Sequence, residues 1–309
     1  MRAAMNARRG FTLVEMVVAI IVLGIVGITF GVFIVPAIKA NQDVERRAAL
    51  IDSAEIAVRR MARDIRIALP NSVRVSYVAG TGFAIEMIPT VDGGRYCLSG
   101  DANCASAAQL LAIGGSDTDF DILGCFHNAT FTGATFPSTA FRLVIGDSNG
   151  AVYSASGSNA VVTPASTSIT LSTVNGGGAG SGACGASSGA TPPTSYRHHI
   201  ALSVGQTFPN GSSRRRVFII QTPVTYICNI AAGTVTRYYN YSISATAPTP
   251  TSPPAGATSA LVTDRVSDCS VATLTTDVQA QGYVKLSLSL ASAGETVQLN
   301  HETQLDNSQ

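Results

Sequence analysis

Residues 7–20, ARRGFTLVEMVVAI, place a carboxylate, Glu15, five positions after Gly10 and inside a run that is otherwise apolar. A carboxylate in an apolar membrane helix costs about 2.5–3.5 kcal/mol on insertion scales, so such a group usually has a partner. A cut after Gly10 would supply one. Phe11 then becomes the N-terminus with Glu15 as its fifth residue, and a free amine can pair with a carboxylate in the same apolar layer.

Other residues able to do chemistry are sparse. GGSDTDFDILG (114–124) alternates Asp117, Asp119 and Asp121 as in the first half of a calcium loop. Ile122 stands where that loop needs glycine, and its twelfth position, Asn128, is no bidentate glutamate. The three aspartates are therefore weak metal candidates, and a polar turn entering a strand is the plainer expectation. The histidines are His127, His198, His199 and His301. His198 and His199 adjoin on an expected strand, so they point to opposite faces and cannot easily share one ion. Surface or strand-edge places are expected for all four. HExxH, GxSxG, a glycine-rich phosphate loop and a dinucleotide fingerprint do not occur. No catalytic residue, metal or cofactor is expected. SSRRR (212–216) reads as a hairpin turn with exposed arginines, a docking patch for a partner being the lesser alternative.

Six cysteines, Cys97, Cys104, Cys125, Cys184, Cys228 and Cys269, all follow residue 90. An even number without a CxxC pair fits disulfides in an oxidising compartment better than a metal site, with about fifteen pairings open. Charged residues are 13% of the 309 and the net charge is +1, a balance that suggests neither a nucleic-acid partner nor an acidic substrate.

The elements that must carry these residues fall into two parts. Met16 to Ile38 is a run of 23 residues without a charge, about 35 Å as a helix and long enough to cross a hydrocarbon core of about 30 Å. Arg2, Arg8 and Arg9 precede it, which keeps the N-terminus cytoplasmic and exports the rest. The run is too long for a cleaved secretory signal and no A-x-A-like site follows it. A plain signal anchor fits the length but leaves Glu15 unexplained. Gly24, Gly27 and Gly31 allow close helix packing, and Pro36 is expected to bend the helix.

After Lys39, the residues Val44, Ala48, Ile51, Ala54, Val58, Met61, Ile65 and Ala68 recur at steps of three and four, an amphipathic helix that should stop at Leu69 before Pro70. Its stripe should pack on the C-terminal part, with a coiled-coil seam as the alternative. Glu45, Arg46, Arg59, Arg60, Arg63 and Asp64 read as a solvated face. From Asn71 onward the sequence reads as strands: 73–78 with 83–89, then 140–146, 198–204 and 216–221. Two hairpins turn at Ala231–Gly233 and around Ala291 to Gly294, the second with Val284, Leu286, Leu288 and Leu290 on one face and Lys285, Ser287 and Ser289 on the other. Residues 174–195 are expected to be a flexible glycine-rich loop, and 245–257 an extended polyproline-like connection. One loop-decorated domain is expected rather than two.

RRGFTLVEMVVAI resembles the type IV prepilin signature: a basic leader, a glycine, then Phe-Thr-Leu-Val-Glu and an apolar helix. AVRRMARDIRIALPNSVRV and the segments from 218 to 307 resemble the larger minor pseudopilins, those of MSHA-type pili among them. The resemblance implies an α+β fold, a long N-terminal helix packed on an antiparallel β-rich domain. It implies a leader at 1–10, a membrane and assembly helix at 11–38, an amphipathic helix at 39–69 and a periplasmic domain at 70–309. A prepilin peptidase would cut between Gly10 and Phe11 and methylate Phe11, and Glu15 would dock a neighbour's amine. The partners implied are that peptidase, other major and minor pilins, and the inner membrane. The chain would be a non-enzymatic component of filament assembly, initiation or tip. A pilus-tip adhesin and a pseudopilin of a type II secretion system are the alternatives, and an anchored periplasmic enzyme a distant third. The family pattern pairs Cys228 with Cys269. Cys97 with Cys104 would close a small loop, leaving Cys125 with Cys184.

Overall fold

The computed structural model describes residues 11–101, 104, 109–126, 135–136, 141–146, 151–154, 157–174, 197–275 and 281–306. It opens with one continuous helix, α1 (Leu13–Arg66), 54 residues long with Pro36 inside it. β1 (Arg74–Val78), β2 (Gly82–Met87) and β3 (Thr90–Arg95) leave the helix directly. β4 (Ser116–Asp121), β5 (Thr135–Phe136) and β6 (Arg142–Ile145) precede a single helical turn, α2 (Ala151–Ser154). Then come β7 (Ile169–Val174), β8 (Arg197–Thr207), β9 (Arg216–Ile220), β10 (Val224–Asn229) and β11 (Thr234–Tyr239). β12 (Thr258–Thr263), β13 (Val266–Thr275), β14 (Gln281–Ser292) and β15 (Glu295–Asp306) close the chain.

The strands form four antiparallel sheets, ordered β1-β2-β10-β11-β12, β13-β14-β15, β3-β9-β6 and β4-β8-β7-β5. The fold is thus α+β, a long N-terminal helix against an antiparallel β domain. The first two sheets and the lower half of α1 enclose one core. Ala54, Val58, Met61 and Ile65 meet Phe83, Ile85, Met87, Tyr226, Leu286 and Leu288 there, all 1% exposed or less. A second core lies between the other two sheets, around Phe120, Ile122, Leu143, Ile200 and Ile219. Leu69, Ile88, Val144 and Ile220 belong to a smaller cluster that also takes in Val152 and Tyr153 of α2.

Local sequence explains the tight turns. Ala293 and Gly294 both have positive φ (48° and 90°), as a two-residue hairpin of the twist-matching kind requires, and the strands run further into the turn than the sequence suggested. At Gly82 φ is +130°, and a Cβ there would stand 2.0 Å from the Cys228 carbonyl oxygen, so glycine alone lets β2 approach β10 this closely. Cys228 and Cys269 form a disulfide that ties β10 to β13 across 41 residues, and Cys97 is bonded to Cys104. A bridge in a small exported domain typically contributes about 2–4 kcal/mol, by a mechanism that is model-dependent.

Several expectations change. The helix ends at Arg66, three residues before Leu69, because the chain is captured by the sheet: the Thr90 N–H donates to the Ile67 carbonyl at 2.8 Å, and the Leu69 N–H to the Ile88 carbonyl at 2.7 Å. The buried stripe starts only at Leu50 and adds Ala57 and Ala62, while Val44, Ala48 and Ile51 stay exposed. Periodicity marks a face, but the β domain covers only the lower end of it. Asp64 is not on a solvated face, because the Tyr226 hydroxyl donates to its Oδ2 at 2.7 Å and Arg237 pairs with it at 3.0 Å. The connection at 245–257 is broken by a turn in which Thr249 and Ser252 exchange backbone hydrogen bonds at 3.1 Å, so it is not uniformly extended. The glycine-rich loop lies almost entirely outside the described residues.

Candidate functional site: the helix head

Thr12 starts the helix. Its backbone is extended (φ −85°, ψ 153°), and its Oγ1 accepts a hydrogen bond from the Glu15 N–H at 3.3 Å. This satisfies one of the donors that a helix N-terminus leaves unpaired. Glu15 is the third helical residue, the position where a carboxylate also interacts favourably with the helix dipole. Its carboxylate is exposed, and no cation among the described residues pairs with it.

Around that single charge the surface is apolar. Every residue from Phe11 to Ala40 is exposed, Phe11 at 79% and Leu13 at 80%. Nothing lies within 4 Å of where a Cβ would stand at Gly24, Gly27 or Gly31, so a neighbouring helix could approach along that flank. An apolar rod of this length, with 0% of its most hydrophobic window buried, is suited to a membrane anchor by length and composition. Gly10 and the basic residues before it lie outside the described residues.

The other candidate residues are scattered over the β domain. The aspartates form no loop; they lie on β4. Asp117 accepts from the Ala112 and Asp119 N–H groups, at 2.9 and 3.3 Å, and Asp119 from the Thr118 hydroxyl at 3.1 Å. Asp121 is fully buried and faces Arg197 and His199 at 2.5 and 2.6 Å. Their carboxylates are spent on backbone, hydroxyl and cations, and the described residues hold no group of three or more His, Cys, Asp or Glu able to bind a metal.

The two adjacent histidines do face opposite ways, but His198 is not at a surface. It is 1% exposed, stacks on Phe126 at 5.9 Å and accepts the Phe126 N–H on Nδ1 at 3.1 Å. His301 lies on β15, paired in register with Leu286. His127 falls outside the described residues. Within SSRRR, Arg215 takes a positive φ (57°) and its Nη1 donates to Asp101 at 2.8 Å, while Arg214 is exposed. The Leu98 N–H, then the Arg215 guanidinium, hold the Asp101 carboxyl below its ordinary range. Cys125 is disulfide-bonded; Cys184, its expected partner, is outside the described residues.

His199 carries a pH dependence. The hydrogen bond to Asp121 raises its pKa above 6.5 against the opposing effect of burial. A base whose pKa rises on folding adds stability that is complete below the unfolded value and is lost as pH climbs through the folded one. The urea midpoint of the wild-type chain should therefore fall from about pH 6 to about pH 8 more steeply than that of His199→Gln. Parallel pH profiles for the two would remove the Asp121–His199 link.

Sequence reading missed the densest polar cluster. Arg74 on β1 lies opposite Glu86 on β2 and ion-pairs with it; Glu86 is 1% exposed. Glu86 also accepts from the Tyr241 hydroxyl at 2.9 Å, which itself contacts Thr225 Oγ1 at 2.5 Å. Arg74 donates to the carbonyls of Ser244, Ala245 and Thr246 at 2.8–3.1 Å and sits 3.7 Å over the Tyr153 ring. The cross-strand pairing of Arg74 with Glu86 becomes visible only once the register is known.

Residues 5–30 match the family described as the prokaryotic N-terminal methylation motif. No curated protein matches the chain, and no solved structure matches it. The matched segment spans the basic flank, Gly10, Phe11, Glu15 and the first half of the exposed apolar rod. The chain is type IV pilin-like: a prepilin methylation motif heads a long N-terminal helix suited to a membrane anchor, and an antiparallel β domain packs on the far end of that helix.

Proposed function

We propose that this pilin-like chain is a minor subunit of a type IV pilus-like filament, acting in its assembly, initiation or tip. The observation that carries the reading is the matched motif on a helix whose first half, through Ile38, is apolar and uncovered and holds a single carboxylate, Glu15, with no counter-charge among the described residues. On this reading residues 1–10 are a leader, 11–38 the membrane and packing segment, 39–69 its periplasmic continuation and 70–309 the periplasmic head. A prepilin peptidase cuts after Gly10 and methylates Phe11. Glu15 then meets the amine of a neighbouring subunit while the apolar helices pack side by side. The bulk of the β domain favours a filament end, since a large head is hard to repeat along a tightly packed shaft. A narrower placement rests on sequence resemblance: FIIQTPVTYICN, VTRYYNY, LVTDRVSDCSV and VQLNHETQLDN resemble the MSHA pilus biogenesis protein MshO more than a type II secretion pseudopilin.

The deciding measurement is the intact mass and N-terminal sequence of the chain isolated from host membranes. A chain starting at methylated Phe11 is expected. A chain still carrying Met1 to Gly10, in cells whose peptidase is active, would leave Glu15 without its amine and reduce the protein to an anchored periplasmic domain.

A further inference from the structure

Beside the polar cluster around Arg74 lies a cavity of about 400 Å³, bounded by the start of β6, the β9–β10 link and the chain after β11. Arg142 lines it. Its guanidinium is half-buried and has no hydrogen bond or ion pair among the described residues, in a domain where most of the arginines near the core, Arg74, Arg197, Arg215 and Arg237, have an acidic partner. Burial pulls its pKa below the ordinary arginine value, the mark of a cation that lacks a counter-charge. Gln221, Thr222, Asn240 and Ser242 add amide and hydroxyl groups around the same space, and Tyr241 and Ile243 add apolar wall. Among the described residues no acidic side chain lines it. A few convergent polar groups in a largely apolar concavity are what a small-molecule site requires.

We propose that this cavity binds a small hydroxylated carboxylate, the chemistry of an acidic sugar, with the carboxylate on Arg142 and the hydroxyls on the surrounding amides and alcohols. A guanidinium presents two parallel N–H donors that match one carboxylate. The volume suits one or two sugar rings. The site is independent of Glu15, because it lies wholly in the β domain.

The test uses the full chain in lipid nanodiscs, titrated with glucuronate and, separately, with glucose, and followed by ligand-observed NMR. Saturable glucuronate binding is expected in about the millimolar range or tighter, with glucose at least roughly tenfold weaker. Arg142→Gln should weaken glucuronate by roughly tenfold or more, since a charge-assisted pair is lost. Ala255→Trp, on the exposed rim, should block binding without touching β6. No saturable glucuronate binding, equal binding of glucose, or undiminished binding in Arg142→Gln each overturns the proposal. Should Arg142→Gln fail to fold, Ala255→Trp decides, and unchanged affinity in it overturns the site.

Discussion

Glu15→Val should leave the cut after Gly10 intact and abolish entry of the chain into filaments. An amine and a carboxylate brought together in an apolar layer attract far more strongly than in water, and removing one leaves the other buried and unpaired. Breaking such a pair costs about 3–5 kcal/mol, which is a loss of roughly a hundredfold or more in the docking equilibrium. The substitution isolates the carboxylate. The helix start survives, because Thr12 Oγ1 is bonded to the backbone N–H of residue 15, which valine retains. The variant also inserts more readily into a membrane, since a charge is gone. Loss of filament incorporation therefore cannot be assigned to a failed anchor. Cell-surface filaments probed for this subunit read the result, with Glu15→Gln as the isosteric control. Wild-type incorporation of Glu15→Val would end the docking role.

Arg74→Ala should be the most damaging single change in the β domain, lowering stability by about 3–5 kcal/mol. It leaves Glu86, 1% exposed, without its cation, and frees three carbonyls between Ser244 and Thr246 that hold the connection after β11. Burial already pushes the Glu86 pKa up, and the Arg74 ion pair is the main force holding it down. With the arginine gone, the folded pKa rises further. An acid whose pKa is raised on folding costs most at high pH, and the cost shrinks as pH falls through the folded value. The deficit of Arg74→Ala should therefore narrow on acidification, and Glu86→Gln in the same chain should recover part of it at neutral pH. Urea unfolding at two pH values measures both effects. A deficit below about 1 kcal/mol would mean that Glu86 is satisfied by the Tyr241 hydroxyl alone.

The head of the chain was legible because its signals are local. A basic flank, Gly10, Phe11, the spacing to Glu15 and an uninterrupted apolar run need no tertiary partner to be read, and each stands in the residues themselves. The hairpin of β14 and β15 was legible for the same reason, since Val284, Leu286, Leu288 and Leu290 alternate with polar residues and all four are buried. The limits of the helix stripe were not. Val44 and Ile51 obey the same periodicity as Val58 and Met61, yet only the latter are covered, because cover comes from β14 and β15, more than 200 residues away in the chain.

The polar clusters were the least legible. The alternation of Asp117, Asp119 and Asp121 suggested one shared role, but folding separates them: two turn to nearby backbone and side-chain donors, and the third enters the core beside Arg197 and His199. The sequence by itself determined the apolar helix suited to an anchor, the candidate cut and the α+β pattern, because apolar periodicity, basic flanks and turn residues act within a few positions of one another. The tertiary structure alone decided which charges are buried, that Arg74 meets Glu86 and Asp64 meets Arg237, and that Arg142 is left facing an open cavity. The strength of a charge depends on its surroundings, and strands distant in the chain build those surroundings.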